Sequence, residues 1–335
     1  VSAEHQREVV LKAQCSGKMP HASASWTQVQ SQLVWRAPEQ FARAASDYAA
    51  TNWRQGATVA PKVLTIAART KAGSRPEYAA LLTARSNKPP WNALQPQTGE
   101  LPAQWLAPLL TSRQLLPFAV ASSQLQQAIV PCDATGNLLS TEMARQSEFW
   151  AKLDDLYREY RGQGGNTPKT LLAQIDYNRK LSVQLPLRTN QQAGHHMVIY
   201  PASGDVMRAA RLDADSALID SKVYRLVVAS LEEARYLTAV LNAPVLEAAF
   251  RACRTSGRDF HKNPWQAVPV PAWQPANQTH RQLAQLAAQA ESAVATMQLP
   301  AGQIAASKRI REKLAGNGIF AQIDSLARII LPDHC

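Results

Sequence analysis

Cysteine is scarce in this chain of 335 residues: Cys15, Cys132, Cys253 and Cys335 lie far apart, and none stands in a Cys-x-x-Cys pair. That spacing indicates neither a zinc knuckle nor a redox dithiol, and a chain this long needs no disulfides to hold its core. The thiols read as reduced and the compartment as cytoplasmic. Long apolar runs are missing too, since none approaches the ~20 residues of a membrane-spanning helix. The start, Val1-Ser-Ala-Glu4, is polar, without the apolar stretch of a signal peptide and without an initiator Met, which points to a fragment or a processed chain. Charged residues make up only 18% against 46% hydrophobic, which excludes a disordered polyelectrolyte and leaves apolar residues for a sizeable core.

Catalytic signatures are absent as well. There is no G-x-G-x-x-G, P-loop, G-x-S-x-G or H-E-x-x-H pattern. Ala202-Ser-Gly204 is too little to form the Gly-rich turn that S-adenosylmethionine needs. His195 and His196 are neighbours, and adjacent residues on a strand point to opposite faces, so one metal site cannot easily use both. Glu232-Glu233 and Asp154-Asp155 sit on helices, where adjacent residues do not face each other as an acid/base pair would. Asn87-Lys-Pro-Pro-Trp91 resembles the Asn-Pro-Pro-aromatic motif of amino-methyltransferases. However, Lys88 occupies the acceptor position, and an ammonium cannot accept bonds from a target amine.

What the chain does have is positive charge. Lys and Arg number 36 against 25 Asp and Glu, a net +11, which favours a polyanionic partner because neutralising phosphates releases counterions. A generally basic protein has the same composition. Arg54-Gln-Gly-Ala57 combines side chains that pair bidentately with guanine and adenine with a glycine that lets backbone approach closely. Lys62, Arg69, Lys71, Arg75, Arg85 and Lys88 follow and can track phosphates. Arg254-Thr-Ser-Gly-Arg-Asp-Phe-His-Lys-Asn-Pro-Trp265 reads as a loop that meets nucleic acid. Arg254, Ser256, Gly257, Arg258, His261, Lys262 and Asn263 supply charge, a hinge and base-edge readers, and Phe260 and Trp265 either stack on bases or anchor the core.

Periodicity predicts strands at Glu8–Ala13, Gln32–Arg36, Val59–Ala67, Glu77–Thr83, Gln114–Ala119, Gln127–Val130, Met197–Pro201, Val206–Leu212 and Val223–Ala229. It predicts helices at Glu39–Tyr48 and at Thr141–Arg161, the latter capped by Ser140 or Thr141, and a restart with Thr167 as cap and Pro168 at the first position. Ser230-Leu-Glu-Glu233 is a capping box for a helix to about Leu241, and Asn242-Ala-Pro244 caps the next. Three amphipathic helices follow Asn277, with stripes Leu283–Leu286–Ala290–Val294–Met297, Ile304–Ile310–Leu314 and Ile319–Ile323–Leu326–Ile330. The expected class is α/β (α+β). A β-rich part covers 1–139, a helix and Gly-rich linker 140–165, an α/β part 166–275, and C-terminal helices 276–335.

Taken in order, Arg54-Gln-Gly-Ala57 with Val59–Lys62, Lys88-Pro-Pro-Trp91, Pro108–Leu110 through Leu115–Phe118, Lys169–Leu171 with Ile175–Tyr177 and Lys180-Leu181, Tyr236-Leu237 with Leu241–Pro244, and Ser256–Asn263 with Val268–Pro271 form a set. Over about residues 54–273 the chain resembles the target-recognition region, with its C-terminal extension, of N6-adenine DNA methyltransferases from restriction-modification and phage-defence systems. It is akin to the TaqI-like and type I specificity domains. The resemblance implies sequence-specific recognition of duplex DNA. It implies that a methyltransferase catalytic domain, in cis or in trans, uses S-adenosylmethionine while this chain holds no cofactor. The resemblance also implies other defence-system subunits as partners, and no membrane. Two other readings stay open: a protein-interaction subunit of a defence complex, and an enzyme with an unrecognised site, for instance His261 with Asp259.

Overall fold

The computed structural model describes residues 25–29, 32–36, 46–48, 52–162, 164, 167–189, 195–252, 260, 265 and 268–331. Their architecture is α/β. Strands β1 (Ser25–Val29) and β2 (Gln32–Arg36) form an antiparallel pair, as the alternation in Gln32–Arg36 predicts. β3 is only Arg54–Gln55. The predicted strand Val59–Ala67 is divided: Pro61 brings no N–H to a ladder and instead opens one helical turn, α1 (Lys62–Thr65), with the Thr65 hydroxyl bonded to its carbonyl. Strand β4 (Ile66–Ala72) begins only after that turn.

β5 (Tyr78–Thr83), β6 (Thr98–Pro102) and β7 (Leu106–Leu110) follow. Gln114–Ala119, expected as one strand, is a tight hairpin of β8 (Leu115–Leu116) and β9 (Ala119–Val120). It turns at Pro117 and at Phe118, whose φ is 59°. With β10 (Gln126–Ile129) the first large sheet is nearly complete.

The helix expected over Thr141–Arg161 is two: α2 (Thr141–Ala144), capped by Ser140, and α3 (Glu148–Tyr160), capped by Ser147, whose extended backbone interrupts the run. The restart falls at Leu171 rather than Pro168, because Thr170 caps α4 (Leu171–Ile175) and the Leu171 N–H goes to the buried Asp154 carboxylate at 2.8 Å. After α5 (Leu185–Thr189) come β11 (His196–Pro201), β12 (Ala210–Asp213), β13 (Leu218–Ile219) and β14 (Val223–Val228). β12 starts at Ala210, not Val206, because the Asn242 side chain occupies both backbone groups of Ala209, accepting from its N–H and donating to its carbonyl.

α6 (Leu231–Asn242) carries the expected Ser230 cap. Asn242 itself does not cap the next helix, α7 (Pro244–Ala252). Asp324 accepts the Val245 N–H at 2.7 Å in its place. α8 (Gln278–Ala295), α9 (Gln303–Gly316) and α10 (Ile319–Ile330) are the three predicted C-terminal helices. One stripe position departs from expectation: Ile304 is 81% exposed, while Ile310 and Leu314 are buried. Of the helix expected over Glu39–Tyr48, Ser46–Tyr48 is not helical and the rest lies outside the described residues, as does Glu8–Ala13.

The strands assemble into a six-stranded sheet, β13-β7-β10-β4-β5-β6, in which only the β13–β7 pair is parallel, and an antiparallel four-stranded sheet, β12-β11-β14-β3. The first sheet packs with α1 and α3–α5 around Leu64, Leu81, Leu109, Trp150 and Leu171. This core takes residues from both sides of Gly162. The second sheet packs with α6–α10 around Tyr200, Leu237, Leu246 and Ile323. Leu110, Ile199, Ile219 and Val223 form a third cluster where the sheets meet. Gly56 sits at that junction because a Cβ there would lie 2.2 Å from the Ile219 carbonyl oxygen.

Candidate nucleic-acid interface

The sequence-derived site residues separate into three groups. Arg254, Ser256, Gly257, Arg258, His261, Lys262 and Asn263 lie outside the described residues. Lys62, Arg85 and Lys88 come together in one cleft. Arg54 and Gln55 lie on the edge strand of the second sheet.

The two aromatic rings of the Arg254–Trp265 segment are core anchors. Phe260 and Trp265 are fully buried. Trp265 stacks on Trp53 with centroids 4.6 Å apart, meets Phe250 edge-on at 5.3 Å, and donates from Nε1 to the Tyr200 hydroxyl at 3.0 Å. Neither ring is free to stack on a base. Val268-Pro-Val-Pro271 is likewise internal: Ser46 donates to the Val270 carbonyl, Tyr236 donates to that of Pro271, and Asp47 accepts from Ala272. The tight approach permitted by Gly56 is to the protein's own Ile219–Asp220 backbone. Gln55 is committed within the chain, donating to the Ser221 carbonyl at 2.7 Å and accepting from Lys180 Nζ at 2.6 Å.

The cleft has a volume of about 690 Å³. α1 contributes Lys62, the loop after β5 contributes Arg85 and Lys88, the turn after β7 contributes Arg113, and the end of α3 contributes Arg161. No carboxylate is among the described lining residues. Lys62, Arg85, Lys88 and Arg113 are exposed, and Arg161 is half-buried. One wall is aromatic: Trp91 lies parallel to Tyr157, with centroids 5.8 Å apart and planes 5° apart. Tyr157 is held by its hydroxyl, which bonds the Pro168 carbonyl and Gln174 Oε1 at 3.0 and 3.2 Å, and burial raises its pKa. Two buried polar atoms of the lining, Gln126 Oε1 and Arg161 Nε, have no hydrogen-bond partner. A concave surface of one charge sign focuses field toward an anion, and its amide and guanidinium groups can meet phosphate oxygens or base edges.

Arg113 and Arg161 escaped sequence reasoning. Neither stands in a motif, and only the fold brings the β7–β8 turn and the end of α3 beside Lys62. Asn87-Lys-Pro-Pro-Trp91 forms part of the cleft wall. Arg69 and Lys71 project from β4 as exposed side chains, and Arg75 lies over the Tyr78 ring at 5.7 Å, so these three do not line the cleft. His196 bonds Asp213 through Nδ1 at 3.0 Å. No helix among the described residues is long and apolar enough to cross a membrane. No protein-family model matches this chain, and no curated protein matches it.

Proposed function

We propose that this chain binds duplex DNA sequence-specifically and positions a target adenine for an S-adenosylmethionine-dependent N6-adenine methyltransferase domain located elsewhere in the protein or complex. The observation that carries the DNA contact is the cleft of Lys62, Arg85, Lys88, Arg113 and Arg161, with no carboxylate among its described lining residues. The ordered resemblance over residues 54–273 supports the methyltransferase partnership. In this reading the cleft cations hold phosphates, which sets register and affinity but not sequence. Arg258, His261 and Asn263 are the side chains whose chemistry suits base edges, each such contact being worth about 1–3 kcal/mol of discrimination.

The test is anisotropy of a labelled duplex titrated with the full chain across a salt series. Each neutralised phosphate contributes a slope of about −0.9 in log K against log[salt], so engagement of all five cleft cations gives roughly −4.5. A chain that binds no duplex at low salt, alone or with a catalytic partner, overturns the reading.

A further inference from the structure

We infer that Arg225 and Arg54 together seat a phosphate group at the edge of the four-stranded sheet. The inference rests on the nucleic-acid reading above for the source of that phosphate. Arg225 lies in β14, and Arg54 is its register partner in β3, the last strand of the sheet. Directly opposed residues on adjacent strands share a face, so the two guanidinium groups stand on the same side. Arg54 is exposed, whereas Arg225 shows only 4% of its surface.

Arg225 has no ion pair among the described residues, and its Nε is buried without a hydrogen-bond partner. The surroundings aggravate this. On its other side Arg225 is paired with Ile199, a member of the apolar cluster between the sheets. Buried charges in proteins are ordinarily paired, and like charges opposed across a ladder repel. Burial, reinforced by Arg54, lowers the Arg225 guanidinium to about 10, so it still carries its charge at neutral pH. Two half-buried arginines do find acids, Arg311 reaching Glu247 at 3.1 Å and Arg211 reaching Glu291 at 3.0 Å, whereas Arg208, also buried, shares with Arg225 an unpartnered Nε. An arrangement that is unfavourable for the isolated fold becomes favourable once an oxyanion bridges the two forks. Guanidinium groups match phosphate oxygens in pairs, which a single ammonium cannot do. The seat adjoins Gln55, whose internal bonds to Ser221 and Lys180 hold the short strand in place.

The test uses the full chain, its Arg225→Gln and Arg54→Gln variants, a labelled duplex, and inorganic phosphate. Arg225→Gln is expected to melt at or above the wild-type temperature without ligand. It is expected to bind duplex roughly tenfold more weakly, the usual size for one lost charge-assisted bond, with a salt slope shallower by about one. Inorganic phosphate is expected to raise the melting temperature of wild type more than that of either variant. If duplex binds both variants with wild-type affinity and slope, the inference is overturned while the DNA reading stands. If wild type binds no duplex but is stabilised by inorganic phosphate in an Arg225-dependent way, the phosphate seat stands and the DNA reading falls. Should Arg225→Gln fail to fold, Arg54→Gln, an exposed substitution, carries the same comparison.

Discussion

Trp265 illustrates how a single side chain can serve the fold rather than a ligand. Its ring is enclosed by Trp53, Tyr200 and Phe250, and its one polar atom is satisfied by the Tyr200 hydroxyl. Trp265→Ala is expected to cost about 3–5 kcal/mol, because it removes a large buried side chain and leaves a cavity among rings held by their own packing. A denaturant midpoint close to wild type would contradict that placement. The cleft cations behave in the opposite way. Lys88→Gln or Arg113→Gln removes an exposed charge with no ion pair among the described residues, so melting temperature is expected to stay unchanged while the salt slope of duplex binding falls by about one per substitution. Equal loss of affinity and stability would mean that these side chains support structure. Arg225 combines both behaviours. Its displacement from the ordinary guanidinium range down to about 10 corresponds to roughly 3 kcal/mol held against the fold at neutral pH. The sign follows from protons: above about 10 the folded chain has lost a proton that the unfolded chain still keeps, so this penalty is full below about 10 and relieved as pH rises beyond it.

At the level of elements, Asp154 shows how one carboxylate sets a helix pair. It is fully buried, accepts the first N–H of α4 at 2.8 Å, and pairs with Arg145 at 2.7 Å and Arg158 at 2.8 Å. Asp154→Ala strands an unbonded N–H and the Arg158 guanidinium, while Arg145 keeps Asp155 at 2.7 Å, and is expected to cost about 3 kcal/mol, the low end for breaking a buried pair. Amide exchange would then rise first around Leu171–Ile175. Protection equal to wild type there would sink the assignment. Elements whose causes are local were legible in the sequence: the Ser230 cap, the apolar stripes of α8 and α10, the alternation of Gln32–Arg36. Elements with remote causes were not. β3 and β13 are two residues each and exist because neighbouring strands supply their partners. The start of β12 depends on an amide from α6, and the start of α7 on a carboxylate from α10.

Across the whole molecule, buried titratable groups bound the pH range of stability. Burial raises Tyr48, Tyr200 and Tyr236 above the ordinary value of 10. The unfolded chain therefore releases these protons first, and stability is lost as pH climbs past 10. Tyrosinate absorbance is expected to lag until circular dichroism reports unfolding, and an early, independent rise would show open hydroxyls. On the acid side, burial lowers His280, whose Nδ1 accepts the Gln274 N–H at 3.1 Å. The unfolded chain takes up that proton first, so stability falls as pH drops below 6.5. His280→Gln is expected to flatten this part of a melting profile, and an unchanged slope would count against it. Charge surplus, fold class and most helix positions follow from the sequence by itself, because composition and periodicity are properties of neighbouring residues. Only the tertiary structure decided that Trp265 is core, that Gln55 is spent internally, that Arg113 and Arg161 join Lys62 and Lys88 in one cleft, and that Arg225 faces Arg54 with no acid paired to it among the described residues. Burial and charge proximity depend on distances between segments far apart in the chain, and no local pattern encodes them.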